Sequence, residues 1–195
     1  ILLVADEVQA GFCRTGRMFA SEYWKEAGCE PDILATAKSI AAGMPLSAVV
    51  TRAEVMDAVP AGTIGGTYCG NAVSCAASLA AIDFMEKHHL ADRAVEIGKK
   101  VTDRYLAMKE KYDVIGDVRG MGAMIGLEFV TDQASRTPNP ALVKALVQEC
   151  AQNGLLVESA GIHGNVIRFL APLVITDEQL EAGLDIMEAA IKKLS

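Results

Sequence analysis

Short apolar runs alternate along this chain with stretches that have helical spacing. Apolar runs at residues 1–5, 33–37 and 46–51 predict strands, and the first is continuous enough for a strand buried on both faces. Residues 19–27 have the spacing of a helix that ends at Gly28. Strands separated by helical or irregular connections predict a layered α/β domain whose sheet is mostly parallel.

Two long helices are predicted after a glycine-rich loop at residues 62–70. Asn71 is placed to cap the first, which is rich in small residues and runs to about Lys87. The second, of mixed charge, covers about residues 91–111. We therefore expect a first domain at residues 1–105.

The pattern changes in the second half to shorter elements with alternating apolar positions. Strands are predicted there at residues 124–130, 155–158 and 166–170, and a helix at residues 141–153. Thr176, followed by the acidic residues Asp177 and Glu178, begins a final amphipathic helix that runs to Lys193. We expect a small α+β domain at residues 106–195.

Composition excludes several classes of protein. The 195 residues include 18 basic and 25 acidic side chains, a net charge of −7, which disfavours binding to nucleic acid or to an anionic membrane. No apolar run approaches the roughly 20 residues that span a bilayer. The five cysteines include no CxxC pair, which argues against a disulfide scaffold or a zinc site and favours a cytoplasmic compartment. We expect no metal.

The chain begins without methionine, inside an apolar run that lacks the basic flank of a signal peptide. We therefore expect it to be the C-terminal portion of a longer protein.

Two side chains that could carry chemistry follow consecutive predicted strands. Asp6 follows the first and Lys38 the second, and ligands bind at the carboxyl ends of strands in open α/β sheets. Lys38 lies between apolar stretches, and a partly desolvated amine can attack an aldehyde. A lysine for the aldehyde and a carboxylate that keeps the pyridine nitrogen protonated are what pyridoxal phosphate requires. A turn-capping aspartate and a solvated lysine remain the alternatives.

An apolar strand that ends in Asp6 and Glu7 is also typical of the magnesium strand in P-loop nucleotide hydrolases. That class needs a GxxxxGK[ST] motif, which these residues do not contain. A nucleotide hydrolase fragment stays as an alternative.

Two further positions could bind anions. The Gly-Gly-Thr segment that ends at Thr67 offers backbone N–H groups and a hydroxyl, although a hinge would use the same glycines. Arg168 lies in the apolar run VIRFL, where its guanidinium needs a carboxylate partner. A substrate could supply that carboxylate, or Glu158 or Glu128 could do so in a structural ion pair.

Four segments, in order along the chain, resemble the class III aminotransferases and, within them, the 4-aminobutyrate aminotransferases: DEVQAGFCRTGRMFA, ATAKSIAAGMPLSAVV, GGTYCGNAVSCAA and NVIRFLAPL. The resemblance implies the fold type I architecture of pyridoxal-phosphate-dependent transferases. This chain would hold part of the large mixed, mostly parallel sheet domain and the small α+β domain. It also implies a homodimer that transfers an amino group from an ω-amino acid to 2-oxoglutarate.

The resemblance assigns cofactor contacts in the first domain. It implies that Asp6 meets the pyridine nitrogen of pyridoxal 5'-phosphate, that Val8 packs on the ring and that Gln9 lies near its 3-oxygen. Lys38 matches the lysine of the internal aldimine and is, with Asp6, the implied catalytic residue. Thr67 matches the threonine that binds the phosphate across the dimer interface.

The resemblance assigns Arg168 to the α-carboxylate shared by the amino acid and 2-oxoglutarate. The family's other cofactor contacts come from an earlier part of the chain, so we expect the 195 residues alone to be inactive. The donor stays open between ω-amino acids, ornithine, acetylornithine and diamines. A non-catalytic dimerisation fragment is a further alternative.

Overall fold

The computed structural model describes residues 1–195 and divides into two compact units, Ile1–Arg93 and Ala94–Ser195. The division lies near the start of a long helix, whereas the sequence predicts a boundary near residue 105. The correspondence of these units to a large and a small domain stays a prediction.

The first unit contains a three-stranded mixed sheet in the order β1-β2-β3. β1 is parallel to β2, with Asp6 in register with Ala35, and β2 is antiparallel to β3. Its elements are β1 (Val4–Asp6), α1 (Ser21–Glu26), β2 (Ile33–Thr36), a 3₁₀ turn (Lys38–Ala41), β3 (Ala48–Thr51), α2 (Ala53–Met56) and α3 (Ala72–Lys87).

Within these 195 residues the first strand is buried on one face only, whereas the sequence predicts burial on both. Ala5 is buried on one face of β1, but its neighbour Val4 on the other face is 56% exposed. Val49 of β3 is also exposed. An apolar run shows that a strand is suited to burial, but it does not show what covers each face.

A small core holds the 3₁₀ turn in place. Phe12, Ile40 and Ala41 are buried together, and Ile82 and Met85 of α3 pack against them. The predicted cap of α3 is confirmed, because the Asn71 side chain accepts hydrogen bonds from the backbone N–H groups of the first turn.

The second unit packs three helices against a four-stranded antiparallel sheet in the order β4-β5-β7-β6. Its core joins apolar residues of the helices to those of the inner strands, including Ile97, Val101, Leu127, Phe129, Leu146, Ile167 and Ile191. Its elements are α4 (Leu90–Lys111), β4 (Ile115–Met121), β5 (Met124–Phe129), α5 (Pro140–Gln152), β6 (Glu158–Ala160), β7 (Val166–Phe169) and α6 (Asp177–Leu194).

The final helix begins as the sequence predicts. Thr176 and Gln179 form a reciprocal capping box at its N-terminus. The strand predicted at residues 155–158 instead begins at Glu158, because the N–H of Leu155 donates to the carbonyl of Cys150 and closes the end of α5. No helix of the protein combines the length and apolarity needed to cross a membrane.

Candidate active site

Asp6 is the last residue of β1 and is held by the backbone around it. Its Oδ1 accepts a hydrogen bond from the N–H of Val8 at 3.1 Å. The next N–H, that of Glu7, donates to the carbonyl of Ala35 at 2.8 Å and ties this point to β2. Asp6 shares the open face of the sheet with Val4 and is exposed, so the desolvated carboxylate expected from the sequence is not present in this chain.

Lys38 begins the 3₁₀ turn that follows β2. Its backbone is left-handed, with φ of 51°, an uncommon conformation for a residue with a side chain. Ile40 and Ala41 are buried and fix this turn, which lets the structure keep the strained residue. The side chain is exposed, so the partial desolvation expected from its apolar neighbours is absent.

The parallel pairing of β1 and β2 brings these two chemical groups to one edge of the sheet. Asp6 is in register with Ala35, and Lys38 follows just beyond that residue. Both side chains are accessible. An accessible primary amine and an accessible carboxylate at the same ends of two neighbouring strands fit the two demands of a pyridoxal ring, an amine for the aldehyde and a negative charge for the ring nitrogen.

Glu7 is a structural residue of this site that the sequence analysis missed. It is 1% exposed, and its Oε1 accepts the N–H of Ser21, the first residue of α1, at 2.6 Å. Its carbonyl accepts the N–H of Gly11, while its Oε2 is buried without a hydrogen-bond partner. Through these two accepted hydrogen bonds Glu7 holds in place the segment that follows it, which carries Val8 and Gln9. Both of these residues are half-buried. The position of Glu7 between an apolar strand and a turn was the available signal.

Thr67 lies in an exposed loop that leads into α3. Gly65, with φ of 154°, opens the turn before it, and a side chain at Gly65 would meet no neighbouring atom. Asn71 already accepts from the N–H groups of Val73 and Ser74, so these donors of the helix N-terminus are occupied. An anion at this loop would rely on the Thr67 hydroxyl and on nearby loop N–H groups.

Arg168 lies on β7, in the second compact unit. Its cross-strand neighbours are Gly126 on β5 and Glu158 on β6. Of the two carboxylates considered from the sequence, Glu158 is the partner, with Nη2 and Oε2 2.8 Å apart. Glu128 instead lies 2.6 Å from Arg119. The Arg168 side chain is 29% exposed, so the strand encloses its guanidinium only in part.

A cavity of about 540 Å³ opens beside this ion pair in the second unit. Its lining includes Glu158 and Arg168, and most of the remaining wall is apolar. Tyr105 contributes to that wall, and burial raises the pKa of its phenol well above the usual range.

Comparisons with known proteins identify the family of this chain. Residues 1–191 match the family model of the class III aminotransferases. The chain is 46% identical over 192 residues to a probable 4-aminobutyrate aminotransferase of Bacillus subtilis, covering 98% of this chain and 43% of that protein. It is 44% identical over 195 residues to the 5-aminovalerate aminotransferase DavT of Pseudomonas putida, covering 100% of this chain and 45% of that protein.

Solved structures show the same fold. An amine transaminase from an uncultivated Pseudomonas species, crystallised in its pyridoxal-phosphate-bound form, matches with a TM-score of 0.89 and 35% identity, covering 100% of this chain and 45% of that one. The prediction of a fold type I transferase architecture is thereby confirmed. The chain spans less than half the length of the relatives it matches.

The family match also decides between the classes that the sequence left open. A P-loop nucleotide hydrolase is excluded, because the aminotransferase match extends over both compact units. By sequence and by fold, this chain belongs to the class III aminotransferases.

Proposed function

We propose that this chain is part of a pyridoxal-phosphate-dependent enzyme that moves an amino group from an ω-amino acid to 2-oxoglutarate. The placement of Asp6 and Lys38 at the ends of adjacent parallel strands is the observation that carries the proposal. The names of the relatives, 4-aminobutyrate and 5-aminovalerate aminotransferases, support a donor with a terminal amine.

Bound pyridoxal phosphate supplies an electron sink that acidifies the carbon bearing the amine. Lys38 is the residue that would hold the cofactor's aldehyde through its Nζ. When its Nζ is free, it would serve as the base that accepts the proton of the amine-bearing carbon and as the acid that returns a proton at C4′. An exposed amine on the first residue of a turn that buried residues hold in place is suited to both tasks.

Asp6 keeps the ring nitrogen protonated, since an adjacent negative charge raises the pKa of that nitrogen. Val8 packs against the ring, and Gln9 lies near its 3-oxygen. These two residues lie in the segment that the hydrogen bonds of Glu7 hold in place, directly after Asp6. The three contacts with the ring therefore keep a fixed arrangement.

Thr67 donates its hydroxyl to the cofactor's phosphate across the interface of a homodimer. Exposed apolar side chains on the Thr67 loop and on α3 support an interface there, among them Tyr68, Val73 and Leu79. Arg168 binds the α-carboxylate of 2-oxoglutarate by paired N–H donors. We also propose that the 195 residues alone do not turn over, because the family's remaining cofactor contacts lie outside the matched portion.

Borohydride labelling of the whole enzyme tests the role of Lys38. Reduction in the presence of pyridoxal phosphate fixes the cofactor on the lysine that holds its aldehyde. We expect the modified peptide to contain Lys38, and Lys38→Arg to lose both label and turnover. Lys25→Arg is the matched control, because Lys25 is exposed in the same unit and pairs with Glu30. Specific labelling of another lysine, with turnover retained in Lys38→Arg, contradicts the proposal.

A further inference from the structure

Two buried side-chain oxygens on neighbouring strands of the first unit have no hydrogen-bond partner in the chain. Glu7 is 1% exposed and accepts the N–H of Ser21 with its Oε1, but its Oε2 accepts no hydrogen bond. Thr36, the last residue of β2, is 4% exposed, and its Oγ1 is also unpartnered. Buried polar atoms are rarely left without a partner, so each of these oxygens marks a place where a further polar group binds.

The register of the first sheet places these two side chains on the same face. Ala5 of β1 pairs with Leu34 of β2, and the side chain two residues further along a strand returns to the same face. Those next positions are Glu7 and Thr36. The N–H of Glu7 donates to the carbonyl of Ala35 at 2.8 Å and continues the pairing to this point. Glu7 and Thr36 are therefore neighbours across the two strands.

On its other side Thr36 has an apolar neighbour. Its register partner on β3 is Ala48, which packs against the small core that holds the 3₁₀ turn. The methyl group of Ala48 offers no hydrogen bond. The polar neighbour that the sheet gives to the Thr36 hydroxyl is thus the carboxylate of Glu7.

We propose that one water molecule binds between Glu7 Oε2 and Thr36 Oγ1, and that Thr36 is thereby a positioning residue for the reaction. Buried waters bind where two to four polar groups converge, and a water can donate to the carboxylate while it accepts from the hydroxyl. Such a bridge is nearly as favourable in enthalpy as a direct hydrogen bond. The inference rests on the proposed roles of Asp6 and Lys38.

The bridge joins the two strands at the point where the residues of the site begin. Glu7 directly follows Asp6, and Thr36 precedes Lys38 by two residues. Asp6 lies on the open face of the sheet, while its neighbour Glu7 is held on the buried face. Without the bridge, a buried oxygen of Glu7 has no partner, and the chain can relieve this only by moving the segment that also carries Asp6.

Loss of the Thr36 hydroxyl should change the absorbance of the bound cofactor. Thr36→Val keeps the shape of the side chain and removes the bridge, so that Asp6 holds the protonated ring nitrogen less well. A weaker positive charge on the ring makes the nitrogen that joins Lys38 to the cofactor easier to protonate. The pH midpoint of the cofactor's absorbance change should therefore rise by about 0.3–1 unit, a fraction of the roughly 1–3 units that an adjacent charge supplies.

The test is a spectroscopic pH titration of the whole enzyme loaded with pyridoxal phosphate. Thr36→Ser retains the hydroxyl and should keep the wild-type midpoint. Thr51→Val is the matched control, because Thr51 belongs to the same sheet and its hydroxyl donates to the carbonyl of Asp32, before the opposite end of β2. We expect its midpoint to be unchanged.

A high-resolution crystal structure of the whole enzyme provides a second measurement that does not depend on the cofactor. We expect a water within hydrogen-bond distance of both Glu7 Oε2 and Thr36 Oγ1. The same water should be present in Thr36→Ser and absent in Thr36→Val.

The possible failures are distinguishable. If no water lies between the two oxygens, the site is overturned. If the water is present but Thr36→Val keeps the wild-type midpoint, or if Thr36→Ser or Thr51→Val shifts it equally, the positioning role is overturned. Failure of the wild-type enzyme to bind pyridoxal phosphate through Lys38 would instead overturn the proposed function and with it the positioning role, while the crystal structure still decides the water site.

Discussion

Asp6 ends one strand and Lys38 closely follows its parallel neighbour, so both lie at the same edge of one sheet. The 26 residues between the two strands form a loop, a helix and a turn. Their proximity therefore depends on the register of β1 with β2, and on the hydrogen bond from Glu7 to Ala35 that extends this register beyond the last strand residue.

Neutralising Asp6 should strongly reduce turnover and leave the fold intact. An adjacent carboxylate changes the pKa of a cation by about 1–3 units, so Asp6→Asn should lower kcat by roughly 10- to 1000-fold. The measurement is steady-state transamination by the whole enzyme. Asp103→Asn is the control, since Asp103 is an exposed carboxylate on α4 that pairs with Lys99. Equal kcat in the two variants would remove Asp6 from the mechanism.

Removing the Glu7 side chain should destabilise the first unit. Glu7→Ala leaves the N–H of Ser21 buried and without its acceptor, which costs about 1–3 kcal/mol in the free energy of unfolding. Urea denaturation measures this loss. Glu22→Ala provides the comparison, because the Glu22 carboxylate accepts the N–H of Phe19 at a more open position and should cost less. A smaller loss for Glu7→Ala than for Glu22→Ala would contradict the role assigned to Glu7.

Gly98 allows α4 to approach the turn between β4 and β5. A Cβ at Gly98 would lie 2.1 Å from the carbonyl oxygen of Gly122, a backbone atom that cannot rotate away. We expect Gly98→Ala to lower the free energy of unfolding by at least about 2 kcal/mol. Gly183→Ala on α6 should be neutral or stabilising, since its Cβ would meet only the end of Leu155 at 3.4 Å and alanine favours a helix. Chemical denaturation of both variants tests the difference.

Cys150 should make the protein less stable in alkali. Burial, with a smaller contribution from Glu149, raises the pKa of this thiol from 9.0 to about 11. The folded state thus keeps a proton that the unfolded state releases, so this contribution is fully present below pH 9 and is lost as the pH rises towards 11.

Unfolding free energies measured on either side of that pH range should show the effect. Cys150→Ala should reduce the alkaline loss of stability, while alanine at the exposed Cys29 should leave it unchanged. Identical pH profiles for the two variants would show that Cys150 does not cause the loss.

Local signals predicted much of the secondary structure. Asn71 and Thr176 cap α3 and α6 because their side chains bond to N–H groups within the next few residues, so the sequence contains both partners. The sequence also showed the two residue types that the cofactor needs, since the carboxylate of Asp6 and the amine of Lys38 each follow an apolar run.

Hydrogen-bond and ion-pair partners that are distant in the chain could not be predicted from the sequence in this way. Glu7 bonds to Ser21, and Arg168 to Glu158 rather than Glu128, because strand register and loop path bring those atoms together. The expected burial of Lys38, Asp6 and the first strand is not reached within these 195 residues, for a related reason. Hydrophobicity measures how much a segment gains from being covered, and not whether another element covers it.

The sequence by itself determined the family, most of the helices and strands, and the residue types that suit pyridoxal phosphate. These follow from short-range periodicity and from motifs that are contiguous in the chain. Only the tertiary structure decided which carboxylate meets Arg168, that Glu7 ties down the segment next to Asp6, and which faces of the first sheet are open. Those outcomes depend on the pairing of distant strands, because the energy of a contact depends on where two groups meet in space and not on either residue alone.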